Sequence, residues 1–482
     1  MIVERFEVLG LAHYSYLLGS QGRAVVIDPK RDVDTYLSYA CAKDLVISHV
    51  LETHIHADYV SGTQALVAAT GAKLWVSGHD EGQEYRYEYG DQRLCDGAEL
   101  VIGDLRLVAI HTPGHTPEHL SFLAYEQSRC GQPMALFSGD FVFVGSLGRP
   151  DLLGEDAKRK LAASLYQSVH TKIADLPDGV EIHPAHGAGS LCGAGMSLRP
   201  QSTLGYERFC NVFLSGYDQQ HFVDCILSSV PEFPDYYRRM KKINAQGPGV
   251  LKDLPGDLPL APDEFRAKRD RLDAIVIDLR RPEAFGGAHI PGAFNIGAGQ
   301  NLSMWAAWVV PYDRPILLLG DADTDMEQAR RSLVRVGFDQ LEGYLKGGMT
   351  SWIEGGFEQA HVPQISVHEL ANRLHLSDPV TVLDVRSPKE WRDGHIQHSI
   401  HIPGGELPKR IHELPSDRKL HVICGSGYRS SVATSVLQRA GHDELVNVVG
   451  GMTAWNKQHL LTISSDESRA PRTAIQRHTS SK

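Results

Sequence analysis

The sequence predicts an α/β protein of several domains, and three observations carry that expectation: its length, the rhythm of its first part and the repetition in its second. At 482 residues the chain exceeds what a single hydrophobic core organises, and about one domain per ~150 residues suggests about three. Before residue 110, β-rich runs (Ile2 to Leu9, His13 to Leu18, Ala24 to Ile27, Leu45 to Thr53) alternate with helix-like stretches such as Asp34 to Ala42 and Thr63 to Ala69, which is the pattern of an α/β layer fold. Further on, Ile275-Val-Ile-Asp-Leu-Arg-Arg-Pro-Glu-Ala-Phe matches Thr381-Val-Leu-Asp-Val-Arg-Ser-Pro-Lys-Glu-Trp, and Gly347-Gly-Met-Thr-Ser-Trp matches Gly450-Gly-Met-Thr-Ala-Trp. Such self-similarity marks two copies of one structural unit in tandem.

These signals divide the chain. Residues 1–245 form the first domain, closing with a helical extension from Thr203 to Asn244. Segment 246–262, dense in proline and glycine, reads as a linker. The repeats occupy 263–360 and 363–463, and the polar, serine-rich tail 464–482 is expected to be disordered.

Composition narrows the class. A hydrophobic fraction of 42% and a charged fraction of 22% suit packed globular domains. The net charge of -11, with no basic stripe to offset it, argues against nucleic acid as a partner and leaves small molecules, anionic ones included. No run of eighteen apolar residues exists, and the opening Met1-Ile-Val-Glu-Arg-Phe lacks a basic region followed by an apolar one. The expectation is a cytoplasmic protein with no membrane span. Seven scattered cysteines without a Cys-x-x-Cys pair exclude a disulfide framework as the organising device. Of these only Cys424, and more weakly Cys192, sits in a context that suggests reactivity.

The densest chemistry lies in Thr53-His-Ile-His-Ala-Asp-Tyr-Val-Ser-Gly. On an extended segment residues two apart face the same way, so His54 and His56 can converge, with Asp58 within reach from the next turn. Three later β-like runs also end in a polar residue: His115 in Thr112-Pro-Gly-His, Asp140 in Leu136-Phe-Ser-Gly-Asp, and His186 in His183-Pro-Ala-His. A single such residue is usually a hydrogen-bonded turn residue; the ordered set points to a metal site.

Together with Asp28 in Val26-Ile-Asp-Pro, these pieces resemble the ordered motifs of the metallo-β-lactamase superfamily over residues 1 to 245. The resemblance implies a four-layer αββα sandwich with metal at one edge of two sheets. It departs at one position, because the superfamily's His-x-His-x-Asp-His ends here in Tyr59. A phenol protonated at neutral pH weakens a second metal position and favours a single metal. Gly148-Arg-Pro-Asp and Leu165-Tyr-Gln-Ser-Val-His are similar to persulfide dioxygenases, whose iron ligands would fall on His54, His115 and Asp140. Two imidazoles and a carboxylate leave positions of a ferrous ion open for dioxygen and a substrate sulfur. That implies one Fe(II) per chain and conversion of a thiol persulfide R-S-S⁻ to sulfite and thiol. His56, Asp58, Tyr59 and His186 would surround the ligands. Arg149 would meet an anionic substrate group or else pair with Asp151, and Cys192, in a glycine-rich loop, would position sulfur or simply pack.

In the second repeat, Leu420-His-Val-Ile reads as a strand, Cys424-Gly-Ser-Gly-Tyr-Arg as a loop and Ser430 to Ala440 as a helix. A cysteine there lies among backbone N–H groups at a helix N-terminus, with Arg429 adding positive charge, so its thiolate and persulfide are stabilised. Asp384-Val-Arg, Cys424-x-x-x-x-Arg429 and Gly450-Gly-Met-x-x-Trp455 resemble rhodanese sulfurtransferases, in which the cysteine carries sulfane sulfur. In the first repeat Gly320, followed by three aspartates, stands opposite Cys424, so that copy is expected to be silent.

The combined expectation is a sulfide-detoxifying fusion: an iron persulfide dioxygenase joined to a sulfurtransferase, acting on a low-molecular-weight thiol persulfide, such as that of glutathione, with dioxygen and with thiosulfate or sulfite. The alternative is a thioester hydrolase like glyoxalase II with a rhodanese appendage. The thiol carrier, the direction of sulfur flow and the oligomeric state are left open, a homo-oligomer being allowed.

Overall fold

The computed structural model describes residues 1–90, 92–229, 233–376 and 380–464; the tail, from residue 465, lies outside them. The amino-terminal part holds two six-stranded sheets. One runs β1 (Ile2–Val8), β2 (His13–Ser20), β3 (Arg23–Ile27), β4 (Val46–Leu51), β5 (Lys73–Ser77) and β6 (Gln92–Leu94) in sequence order. The other contains β7 (Glu99–Ile102), β8 (Leu105–His111), β9 (Leu120–Glu126), β10 (Ala135–Gly139), β13 (Glu181–Pro184) and β14 (Ser202–Thr203), in the order β14-β13-β10-β9-β8-β7. A short ribbon, β11 (Val142–Phe143) with β12 (Ser146–Leu147), follows β10.

Side-chain alternation explains the layers. Tyr16, Leu18, Val25 and Ile27 of the first sheet share one apolar cluster with Leu105, Leu107, Phe122 and Phe137 of the second. Their neighbours Leu17, Ala24 and Val26 point the other way, onto helices Asp34–Ala42 and Thr63–Thr70 through Tyr36, Ala40 and Leu66. Leu123 and Leu136 likewise turn outward onto helices Glu155–Lys172 and Gln219–Ser229 through Leu165, Val169 and Phe222. Period-two strands buried on both faces thus produce the αββα order, each fully buried large side chain contributing about 1.5–3 kcal/mol.

The repeats form two five-stranded sheets of equivalent topology. The first is ordered β15-β19-β18-β16-β17, from Pro259–Leu260, Leu341–Leu345, Ile316–Leu319, Ile275–Asp278 and Phe294–Asn295. The second is ordered β20-β24-β23-β21-β22, from Gln364–Ser366, Leu445–Val449, Leu420–Ile423, Thr381–Asp384 and Ile400–His401. In each, an aspartate closing the second-to-last strand pairs with the arginine two residues on: Asp278 with Arg280 and Asp384 with Arg386, both at 2.6 Å and buried. Pro259 and Leu260, placed in the linker by their composition, are strand residues, because Leu260 is drawn into the first repeat's core beside Phe265 and Leu345.

By compactness the chain forms two units, and they do not follow the repeat boundaries. One comprises Met1–Asp257 with Gly299–Trp308 and Asp325–Leu341; the other comprises Leu258–Ala298, Val309–Thr324 and the residues from Glu342 onward. In the first unit, Arg335 binds Asp32 through two bonds of 2.7 and 2.6 Å, and its carbonyl accepts the Val60 N–H at 2.7 Å. All seven cysteines are free thiols. No helix among the described residues is long and apolar enough to cross a membrane.

Candidate metal centre and sulfur-carrying loop

The chain leaves β4 at Leu51 and turns, so the strand geometry expected for His54 and His56 does not apply to them. Their rings lie 4.0 Å apart between centroids but join different groups. His54, His115 and Asp140 form one cluster of potential ligand atoms, Asp58, His186 and Cys192 a second, and Asp28, Glu52 and His56 a third; all nine are buried.

In the first cluster, Asp140 Oδ2 lies 3.7 Å from His54 Nε2 and 3.3 Å from His115 Nε2. None of these three buried atoms has a hydrogen-bond partner among the described residues, a costly arrangement for polar atoms unless something binds there. The surrounding bonds assign the tautomers. Thr53 donates its hydroxyl to Asp28 Oδ2 at 2.8 Å and therefore accepts from His54 Nδ1 at 2.9 Å. His115 Nδ1 donates to the Arg149 carbonyl at 2.8 Å. Both Nε2 lone pairs are thus left facing Asp140, as ligation requires. Burial, reinforced by neighbouring imidazoles, holds both histidines well below their usual range, so they remain neutral.

The second cluster is centred on His186. His186 bridges two carboxylates, with Nδ1 2.7 Å from Asp140 Oδ1 and Nε2 2.9 Å from Asp58 Oδ2. Burial opposes its charge, but Asp140 and Asp58 outweigh burial and raise it well above the usual range. Burial, with Asp58 and Asp140 adding to it, pushes the Cys192 thiol up, so it is a neutral S–H, 4.0 Å from the Tyr237 hydroxyl. Tyr59 lies against His13, ring centroids 4.0 Å apart and planes tilted by 36°, and donates to the Asp28 carbonyl at 3.3 Å. Burial, with nearby acids adding to it, keeps that phenol protonated. In the third cluster His56 Nε2 lies 3.2 Å from Asp28 and 3.6 Å from Glu52. Burial raises Glu52 to about 7, opposed by His56.

Gly148-Arg-Pro-Asp acquires a physical reason. A Cβ on Gly148 would overlap the Asp140 carbonyl. Arg149 is fully buried, bound to Asp151 by two bonds of 2.7 Å and to the Leu191 carbonyl at 2.9 Å, and its backbone orients His115. Its guanidinium thus takes the pairing with Asp151 and ties the ligand loop to the Cys192 loop, where the Arg149 N–H meets the Cys192 carbonyl at 2.9 Å.

Sequence reasoning missed His119 and His13. His119 Nε2 accepts the Asp140 N–H at 3.0 Å while Nδ1 faces Thr112 Oγ1 at 2.9 Å; burial pushes its imidazole down to about 3, so it braces Asp140 as a neutral acceptor. Its position four residues beyond His115 was the available signal. His13, alone at a strand start, carried none.

In the second repeat Cys424 follows β23 directly, as Gly320 follows β18. Cys424 is buried, its Sγ receives the Gly427 N–H at 3.1 Å, and Ser430 Oγ lies 3.5 Å away at the start of helix Tyr428–Arg439. Gly451, at φ 53°, lets the Gly-Gly-Met turn pass the loop: its Cβ would strike the Cys424 carbonyl, which the Met452 N–H caps at 2.7 Å. Arg429 reaches Glu390 through two bonds of 2.7 Å. That contact is the main cause holding Glu390 down to about 2. A depressed carboxylate stabilises the fold fully above its unfolded value near 4.5 and loses that contribution as pH falls toward 2. Glu390→Gln is therefore expected to flatten the acid limb of second-repeat unfolding between about pH 4.5 and 2, measured by fluorescence; a limb identical to wild type would show the pair to be inert. The pair is partly exposed, so the change should be small.

The comparisons with known proteins agree with this geometry. Residues 8–187 match the metallo-beta-lactamase superfamily, and residues 261–355 and 366–458 each match the rhodanese-like domain. The chain belongs to the metallo-β-lactamase superfamily and carries two rhodanese-like domains carboxyl-terminal to that fold. Its relatives within the superfamily include the mitochondrial persulfide dioxygenase ETHE1 of Mus musculus, 30% identical over 207 residues, covering 41% of this chain and 75% of that one. A hydroxyacylglutathione hydrolase of Anaeromyxobacter dehalogenans is 34% identical over 204 residues, covering 42% of this chain and 72% of that one. Among solved structures, a metallo-beta-lactamase from Staphylococcus aureus subsp. aureus COL superposes with a TM-score of 0.64 at 35% identity, covering 72% of this chain and 98% of that one.

Proposed function

We propose that the chain is an iron-dependent persulfide dioxygenase that also transfers sulfane sulfur through Cys424. His54, His115 and Asp140 would hold one Fe(II), which when bound would supply the activation of dioxygen toward the terminal sulfur of R-S-S⁻. Dioxygen would provide two of the sulfite oxygens and water the third, so that R-S-S⁻, O2 and H2O give R-SH, sulfite and a proton. The protein's own part is to fix the ligands: Thr53 and the Arg149 carbonyl set the tautomers, and His119 braces Asp140. His186 holds a proton between Asp58 and Asp140, and Cys192 sits as a neutral thiol beside that pair, where it would position sulfur.

The observation that carries the one-metal reading is His186, whose two nitrogens are both committed to carboxylates, beside a neutral Tyr59 in place of a ligand histidine. The hydrolase reading retains support from the hydroxyacylglutathione hydrolase relative. One experiment separates them. The purified full chain is expected to bind about one iron per chain and to consume oxygen with glutathione persulfide, losing that activity on chelation and regaining it with Fe(II). Two tightly bound zinc ions, with oxygen-independent cleavage of an acylglutathione, would establish the hydrolase instead.

A further inference from the structure

Lys241 lies outside every motif described above, yet the fold buries it against the metal centre. It stands on helix Tyr236–Gln246, 2% exposed. Tyr237, Lys241 and Asn244 recur at helical spacing and share one face. That face is pinned on both sides of Lys241. Tyr237 Oη lies 4.0 Å from Cys192 Sγ. Asn244 Nδ2 donates to the carbonyls of His56 at 2.8 Å and Tyr59 at 2.7 Å. Burial lowers Lys241, opposed by Glu118, Glu84 and Cys192, and its charge in turn helps to hold His115 down.

No hydrogen bond or ion pair to the Lys241 ammonium occurs among the described residues; its close contact is the face of the Tyr85 ring, 5.1 Å from the centroid. Glu118, the nearest acid in influence, spends Oε1 on the Ile55 N–H at 2.9 Å. A buried ammonium normally has an anion to compensate its lost hydration. This one lies on the helix face whose other members, Tyr237 and Asn244, meet Cys192 and the carbonyls of His56 and Tyr59.

We propose that Lys241 binds the anionic sulfur end of the substrate at the metal centre, its ammonium pairing with a charge that the protein does not itself provide. That this anion is the R-S-S⁻ terminus rests on the function proposed above; that the site takes an anion does not. Methionine has a similar length and apolar stem, so Lys241→Met removes the charge while keeping the packing.

The test uses the iron-loaded full chain carrying Cys424→Ser, in which the second repeat cannot be loaded with sulfur. Sulfite, the product anion, is titrated into it by calorimetry, with and without Lys241→Met or Lys241→Arg. Lys241→Met should weaken sulfite binding about tenfold or more and raise KM for glutathione persulfide similarly, with a smaller change in kcat, while Lys241→Arg restores much of both. A thermal midpoint at or above wild type would show that Lys241→Met is folded; should it not fold, Lys241→Gln carries the same comparison. Unchanged sulfite affinity and KM would overturn the proposal, leaving the stem to pack and nothing more. If no persulfide drives oxygen uptake but the loss of sulfite binding persists, the anion site stands and the dioxygenase reading falls.

Discussion

Asp140→Asn is expected to lower persulfide-dependent oxygen consumption by about a thousandfold or more while leaving thiosulfate sulfurtransferase activity at the wild-type rate. The two oxygens of Asp140 have different tasks: Oδ2 faces the Nε2 lone pairs of His54 and His115, and Oδ1 accepts from His186 Nδ1. Asparagine fills the same volume but brings a donor. With its NH₂ toward the histidines it confronts the place meant for a cation; turned over, it opposes the His186 N–H. Either orientation loses an interaction with a charge, worth about 1.5–3 kcal/mol for a hydrogen bond alone, as well as the ligand's negative charge. Oxygen-electrode traces and iron content per chain check this. An Asn variant that retained one iron and more than a tenth of the activity would remove Asp140 from the ligand set.

The converse result is expected for Cys424→Ser: no thiosulfate-linked sulfur transfer, with oxygen uptake on supplied persulfide largely intact. The thiolate takes the outer sulfur of thiosulfate, breaking its S–S bond, releasing sulfite and forming Cys424-S-S⁻; a thiol R-S⁻ then takes that sulfur as R-S-S⁻ and regenerates the cysteine thiolate. A serine hydroxyl can neither attack at neutral pH nor hold sulfane sulfur. In the reverse direction sulfite would attack the loaded cysteine and leave as thiosulfate. The decisive comparison feeds thiosulfate and thiol together and records oxygen uptake. Equal rates for wild type and Cys424→Ser would refute a route from this cysteine to the iron site. A wild-type advantage that persists when a diffusing persulfide trap is added would show that the tether raises the effective concentration of the intermediate.

Several features were legible because their chemistry is local. The three proposed iron ligands each end a strand-like run in a fixed order, and the Cys424 loop is one uninterrupted strand-loop-helix. The four layers follow from strands that are apolar on both faces, as the unbroken run Val25-Val26-Ile27 is. Other features depend on groups far apart in the chain. Lys241 is one basic residue in the run Arg238-Arg239-Met240-Lys241-Lys242, and nothing in that run distinguishes the buried one. His56 was grouped with His54 because strand spacing was extended past Leu51, where the strand ends. Arg149 pairs with Asp151, two residues on, and also meets the Leu191 carbonyl, which only the fold brings near.

The buried pair between Asp32 and Arg335 bears on how this chain can be taken apart. Motif boundaries invite a cut at segment 246–262, separating the metallo-β-lactamase fold from the two rhodanese-like domains. Such a cut would remove both guanidiniums, Arg335 and Arg331, from Asp32 and leave it paired with Lys30 alone, 3.3 Å away. It would also strip the Val60 N–H, next to Tyr59, of its acceptor. The cysteine-less repeat therefore has a duty that needs no thiol: its stretch Asp325–Leu341 completes the wall behind the histidine loop. Because Asp325–Leu341 shares a compact unit with Met1–Asp257, a fragment ending at residue 245 would lack part of that unit.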